Sequence, residues 1–311
     1  MRKSGEDLLA GIGGTPLVEL EGFGAGPNVR ILAKLESVNP GGSIKDRPVA
    51  RMLRRGIAEK RFENGRRLLD SSSGNAGVAY AMLGAALGVP VTLVVPANAS
   101  RERLERMRAH GAELLLTDPI EGYDFALREA HRLARERPDL YWHADQYANA
   151  ENVRAHYATT GAEILDDLRA LGLGAPDAFV AGVGTGGTLT GVGRRLREAR
   201  PDVRIAAIVP EPFPGIEGLK PLGQPGDIVP AILDGSLIDE RIPVTSEDAA
   251  SAARALAARG LFVGPSSGGY LRGALEIARR GGARTIVTIL NDTGERYGST
   301  GLWANGGGAN P

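Results

Sequence analysis

The sequence has no cysteine and only four histidines, and aromatic residues fill just 5% of its 311 positions. Without thiols there are no disulfides, no thiolate metal sites and no cysteine nucleophile. The histidines are scattered along the chain without metal-ligand spacing, so no metal is assigned. Net charge is lacking too, because 37 basic side chains balance 37 acidic ones. No basic run or aromatic-interleaved patch of the kind nucleic-acid binders carry breaks that balance, which leaves a small molecule as the expected partner. No stretch approaches 18 consecutive apolar residues, and Met1-Arg2-Lys3-Ser4-Gly5-Glu6-Asp7 runs into charge rather than an apolar leader. These absences predict a cytoplasmic protein with no membrane partner.

What the chain has in excess is glycine: 44 of 311 residues, about 14% against a usual ~7%. Much of it clusters behind short β-branched runs. Such runs at 29–35, 66–69, 91–95, 113–116, 177–183, 203–209 and 284–290 alternate with helical patterns. Their nearly continuous apolar character is that of buried parallel strands, so an α/β fold built on open parallel sheets is expected. Ser100 and the capping box Thr245-Ser246-Glu247-Asp248 open helices that Gly111 and Gly260 stop. Alanine and glycine dominate 76–88, which predicts a close-packed, buried helix. The segment 210–226, rich in proline and glycine, reads as a long functional loop. No linker divides the chain, so two domains would have to share it by crossing over.

Four loops stand where a strand signal meets a helix signal. The first, Asn39-Pro40-Gly41-Gly42-Ser43-Ile44-Lys45-Asp46-Arg47, delivers a lysine to the first turn of a helix. Taken alone it reads as structural, with Gly41-Gly42 closing a turn, Ser43 capping the helix and Lys45 solvated. The chemical reading is that a helix dipole and partial desolvation disfavour the ammonium, and so make an amine able to attack a carbonyl. The second loop, Ser71-Ser72-Ser73-Gly74-Asn75-Ala76-Gly77, is either a simple cap or an anion site of amides and hydroxyls at a helix N-terminus.

The third loop, Gly182-Val183-Gly184-Thr185-Gly186-Gly187-Thr188, satisfies the G-x-G-x-x-G pattern of dinucleotide sites, with Glu211 near the place of a ribose-binding acid. It equally suits a single phosphate, and that reading is preferred because several βα units precede it. In the fourth loop, Gly264-Pro265-Ser266-Ser267-Gly268-Gly269, Ser266 either caps a helix or meets an aromatic ring nitrogen.

In this order, the four loops resemble those of the cysteine synthase and cystathionine β-synthase family of fold-type II pyridoxal phosphate enzymes. The resemblance runs from Gly14-Thr15-Pro16-Leu17-Val18 through Ala33-Lys34-Leu35-Glu36, Asp145-Gln146-Tyr147-Ala148-Asn149 and His156-Tyr157-Ala158-Thr159-Thr160-Gly161 to Gly294-Glu295-Arg296-Tyr297-Gly298-Ser299-Thr300. It implies a tryptophan synthase β-like fold of two open parallel-sheet domains with the cofactor in the cleft between them. The smaller, movable one would span 39–146; the larger would combine 12–38 with 147–311.

By the same resemblance Lys45 would be the Schiff-base lysine, and Asn75 would bond the cofactor's phenolic oxygen. Gly184, Thr185, Gly186, Gly187 and Thr188 would hold its phosphate, and Ser266 would face the pyridine nitrogen. Ser72, Ser73 and Gln146 would grip the substrate carboxylate. One departure concerns Ala76, where the family commonly has threonine; the missing hydroxyl is worth about 1.5–3 kcal/mol as a charge-assisted hydrogen bond. The implied activity is β-replacement on O-acetyl-L-serine with sulfide, giving L-cysteine, in a homodimer. O-phospho-L-serine, whose phosphate Lys220 would meet, and cystathionine formation from serine and homocysteine are the close alternatives. A nicotinamide-dependent oxidoreductase and a catalytically silent binding protein are the distant ones.

Overall fold

The computed structural model describes residues 3–222 and 228–304. Ten strands form among these residues: β1 (Leu17–Glu19), β2 (Arg30–Leu35), β3 (Arg67–Ser71), β4 (Val91–Pro96), β5 (Glu113–Thr117), β6 (Tyr141–His143), β7 (Ala178–Gly182), β8 (Arg204–Pro210), β9 (Glu240–Val244) and β10 (Thr285–Leu290). They make two sheets, one in the order β1-β2-β10-β7-β8-β9 and one in the order β5-β4-β3-β6. All neighbours pair in parallel except β1, which runs antiparallel to β2. The parallel α/β expectation is therefore met.

Seven strands lie within a residue or two of the sequence signals, and the other three, β1, β6 and β9, were not foreseen. All three are sheet edges. β1 and β6 are three residues long, too short to show a period, and β9 reads Glu-Arg-Ile-Pro-Val. An edge strand needs only one hydrogen-bonded flank, so it tolerates proline and charge that a central strand excludes.

Each sheet has its own apolar core. Phe179, Ile205 and Val287 are fully buried around the six-stranded sheet, and Leu68, Leu83 and Leu93 around the smaller one. The small-residue helix Asn75–Leu87 is buried on most sides, as expected; a side chain at Gly77 would strike Ser72 O at 2.6 Å. Capping follows the sequence at Thr245, whose hydroxyl accepts from Asp248 N at 3.1 Å. At Ser100, by contrast, the hydroxyl makes no capping bond. Among the described residues, no helix is long and apolar enough to cross a membrane.

A buried ionic cluster anchors the start of helix Asp46–Ala58 to the larger sheet. Arg47 lies between Glu36 (Nε to Oε2, 2.7 Å) and Glu163 (Nη1 to Oε1, 2.6 Å), and Lys34 on β2 joins through Glu163 at 3.1 Å while also pairing with Asp167 at 2.7 Å. A buried charge is tolerated only when paired, so these contacts fix the residue two places before Arg47 as well. That residue is Lys45.

Candidate active site

A cavity of about 450 Å³ is lined by residues from both halves of the chain. In parallel α/β sheets ligand sites form beyond the carboxyl ends of strands, and the loops after β2, β3, β7 and β10 all reach this cavity.

The lysine turn leaves β2 through a 3-10 turn, Glu36–Val38. Gly42 adopts φ +79°, a conformation few side chains tolerate, and Ile44 N donates to Asn291 O at 2.8 Å. Lys45 immediately precedes helix Asp46–Ala58 and projects into the cavity, half-buried. Desolvation holds its ammonium below the usual lysine range, and the negative charge of Asp292 offsets part of that shift. Ser43 does not cap the helix in the ordinary way, although its hydroxyl accepts from Lys45 N at 3.3 Å.

Beyond β3, Ser72, Ser73, Gly74, Asn75 and Ala76 all line the cavity at the N-terminus of helix Asn75–Leu87. Asn75 is held from both ends of its amide. Nδ2 donates to Asp292 Oδ2 at 2.7 Å, and Oδ1 accepts from Arg296 Nη1, which leaves one amide proton to point elsewhere. Gln146 is buried, with its side-chain amide donating to Ser71 O at 2.9 Å and its backbone N–H to Asp70 Oδ2 at 3.2 Å. It is thus bound to the serine loop it was expected to face.

The glycine-rich loop after β7 brings Gly184, Thr185, Gly186 and Thr188 to the cavity. Gly186 has φ +84°, and a side chain at Gly184 would meet Gly218 O. Thr185 Oγ1 accepts from Asn152 Nδ2 at 3.1 Å, so its own proton remains to donate. Thr188 Oγ1 lies 3.3 Å from Nε2 of His156, a ring kept neutral by burial and by the nearby charges of Lys45 and Arg47. Gly187 stands apart from the rest. It does not line the cavity; its α-carbon packs against Asn152.

Ser266, in the first turn of helix Pro265–Arg280, also lines the cavity. Its Oγ accepts from Asn291 Nδ2 at 3.0 Å, which frees the hydroxyl proton for an acceptor in the cavity. Lys220 borders the cavity as well. It is not a solvated lysine, because Nζ lies 3.0 Å from Asp124 Oδ1 and 5.5 Å from the centre of the Tyr147 ring. A second ion pair joins Arg103 to Glu217 at the same cavity. Of the 210–226 loop, residues 223–226 lie outside the described residues.

A family model described as pyridoxal-phosphate dependent enzyme matches residues 8–292. The chain belongs to that family. Among similar pyridoxal-phosphate dependent enzymes, a cysteine synthase of Aquifex aeolicus is 43% identical, over 98% of this chain and 94% of its own length. The structure of an O-ureido-L-serine synthase superposes with a TM-score of 0.88 at 36% identity, covering 98% of this chain and 96% of that one. A cysteine synthase from Entamoeba histolytica gives 0.87 at 35% identity, with 97% and 92% covered.

The donor set of the cavity fits pyridoxal phosphate. Two threonine hydroxyls and the unpaired amides of a helix N-terminus suit a phosphate, the freed Ser266 proton suits an unprotonated ring nitrogen, and a desolvated lysine suits an aldehyde. The dinucleotide reading of the same glycines is overturned. Glu211 does not line the cavity and instead accepts the N–H of Ser246 at 2.7 Å, capping helix Ser246–Ala257.

Sequence reasoning missed Asn291, which lines the cavity, and Asp292, Arg296 and Tyr297 around Asn75. Asn291 and Asp292 follow the carboxyl end of β10, so the rule that ligands gather at strand ends carried a signal for both. Arg103 and Tyr123 carried none, since they stand in the first turns of helices with no glycine-rich loop beside them.

Proposed function

We propose that the protein catalyses β-replacement on O-acetyl-L-serine: sulfide takes the place of acetate at Cβ, and L-cysteine and acetate leave. The observation that carries this reading is the convergence of Lys45, Asn75, Thr185, Thr188 and Ser266 on one cavity. In this reading Lys45 binds pyridoxal phosphate covalently, and Gly184, Thr185, Gly186 and Thr188 hold its phosphate. Gly187 contributes by letting that loop lie against Asn152. Asn75 donates to the phenolic oxygen and Ser266 to the ring nitrogen. When bound, the cofactor supplies the electron sink for a carbanion at Cα.

The remaining steps belong to side chains. Ser72, Ser73 and the amides of their loop take the substrate carboxylate, with Gln146 braced against Ser71. The Lys45 amine, once free, would remove the Cα proton through Nζ and later return it; its depressed pKa increases the neutral fraction available as base. Ser266 is a neutral hydroxyl rather than a carboxylate, so it would leave a bound ring unprotonated and less able to draw charge away from Cα. This favours departure of the β-substituent over transamination.

O-phospho-L-serine is a poorer match. Apart from Lys45, which the cofactor takes, the cationic side chains lining the cavity among the described residues are Arg103 and Lys220, already paired with Glu217 and Asp124, so no net positive charge awaits a phosphate there. The smaller, movable unit is proposed as residues 39–146 and the larger as 12–38 with 147–311, closing on the carboxylate and excluding water. A cytoplasmic homodimer completes the reading, to be checked by light scattering of the purified protein.

Borohydride reduction of the yellow holoprotein followed by peptide mass spectrometry is expected to find the cofactor on Lys45, and Lys45→Ala to lose both the label and cysteine formation. Label on another lysine would overturn the assignment. A turnover comparison, with O-phospho-L-serine preferred, would reassign the substrate.

A further inference from the structure

Histidines that lie apart in the sequence come together in the fold. His131, on the exposed face of helix Gly122–Glu136, and His143, on β6, place their rings 4.9 Å apart, edge to face. Asp145 joins them, so that one donor atom from each of the three residues lies within 4.8 Å of the others. Two further observations suggest more than chance proximity. His143 is mostly buried, yet its Nε2 has no hydrogen-bond partner among the described residues and lies 3.7 Å from Asp70 Oδ1. Asp145 is held at φ +49°, a left-handed conformation stabilised by Ala148 N–H donation to its Oδ1 at 3.2 Å; this leaves the second carboxylate oxygen to act as a ligand.

We infer that His131, His143 and Asp145 form a binding site for a divalent transition metal, distinct from the cofactor cavity. Two imidazoles and a carboxylate are borderline donors that select zinc and its neighbours over magnesium or calcium. Zinc bonds to such ligands are about 2.0–2.2 Å long, so the donors have to draw together by roughly an ångström. The exposed His131 side chain is free to make that movement. A bound ion ties helix Gly122–Glu136, which gives Tyr123 and Asp124 to the cavity, to the segment that gives Gln146 and Tyr147. It therefore stiffens one wall of the active site without touching the reacting atoms.

The test is calorimetric titration of Zn²⁺ alone into the holoprotein, with substrate and product absent because cysteine itself binds zinc. The wild type is expected to take up one equivalent of Zn²⁺. His131→Ala and Asp145→Asn, the latter a side chain that tolerates the left-handed backbone, are each expected to weaken that uptake by about tenfold or more. Retention of wild-type affinity in either variant, or no saturable uptake by the wild type, overturns the site. Neither outcome bears on Lys45 or on the cofactor. Metal-free His131→Ala is expected to keep its cysteine-forming activity, which separates loss of the metal site from a damaged fold.

Discussion

Asp46, the residue next to the cavity lysine, is fully buried and carries a distinct pH signature. Burial pushes its carboxyl up from an ordinary 3.8 to about 6, despite the donated N–H of Gly41 and the charge of Arg296. The folded state therefore holds the proton more tightly than the unfolded chain. Stability from this group is fully present below about pH 4 and is lost as pH rises through 6. A shift of roughly two units corresponds to about 3 kcal/mol. Asp46→Asn removes that dependence. Urea unfolding across the window is expected to show the variant gaining about 3 kcal/mol relative to wild type between pH 4 and pH 7, and parallel curves would refute the buried-carboxylate account. No sequence pattern marks Asp46 in this way. Its environment depends on Arg296, 250 residues further on, reaching Gly41 O and Asn75 Oδ1.

The strand-to-helix loops were the most legible elements, because a glycine cluster reports on backbone geometry directly. Gly187 shows a second reason for a glycine in such a loop, since a Cβ there would collide with Asn152, whose amide donates to Gln146 O and Thr185 Oγ1. Gly187→Ala is expected to cost about 1–3 kcal/mol by overpacking. Gly174→Ala, where nothing lies within 4 Å, should fall near zero in the same thermal melts. Equal losses at the two positions would show that the contact with Asn152 is not responsible. Edge strands stayed illegible for the opposite reason: β1, β6 and β9 take their identity from the neighbour they pair with, not from their own pattern.

At the scale of the whole molecule, the two halves meet through ion pairs as well as through the ligand. Lys220–Asp124 and Arg103–Glu217 span the cavity from the 217–220 segment to helices of the smaller-sheet half. Partly exposed pairs of this kind are worth about 1 kcal/mol or less. Lys220→Met is therefore expected to leave global stability nearly unchanged while raising KM for O-acetyl-L-serine by about two- to tenfold, because the halves are less readily held together. Steady-state kinetics with an unaltered KM would remove the pairs from any part in closure. The two-sheet plan was legible from alternating strand and helix signals. Which strands share a sheet was not legible from those signals and came only with the family resemblance, because pairing across more than two hundred residues leaves no local trace.

That pairing has a consequence for how the chain is made. β10 lies at the centre of the larger sheet, between β2 and β7, although it is the last strand in sequence. As the polypeptide leaves the ribosome, the smaller sheet has all four of its strands by residue 143, whereas β2 and β7 wait with open flanks until residues 285–290 emerge. Chains that stall before that point present two unpaired apolar edges to their neighbours, the kind of surface that chaperones protect.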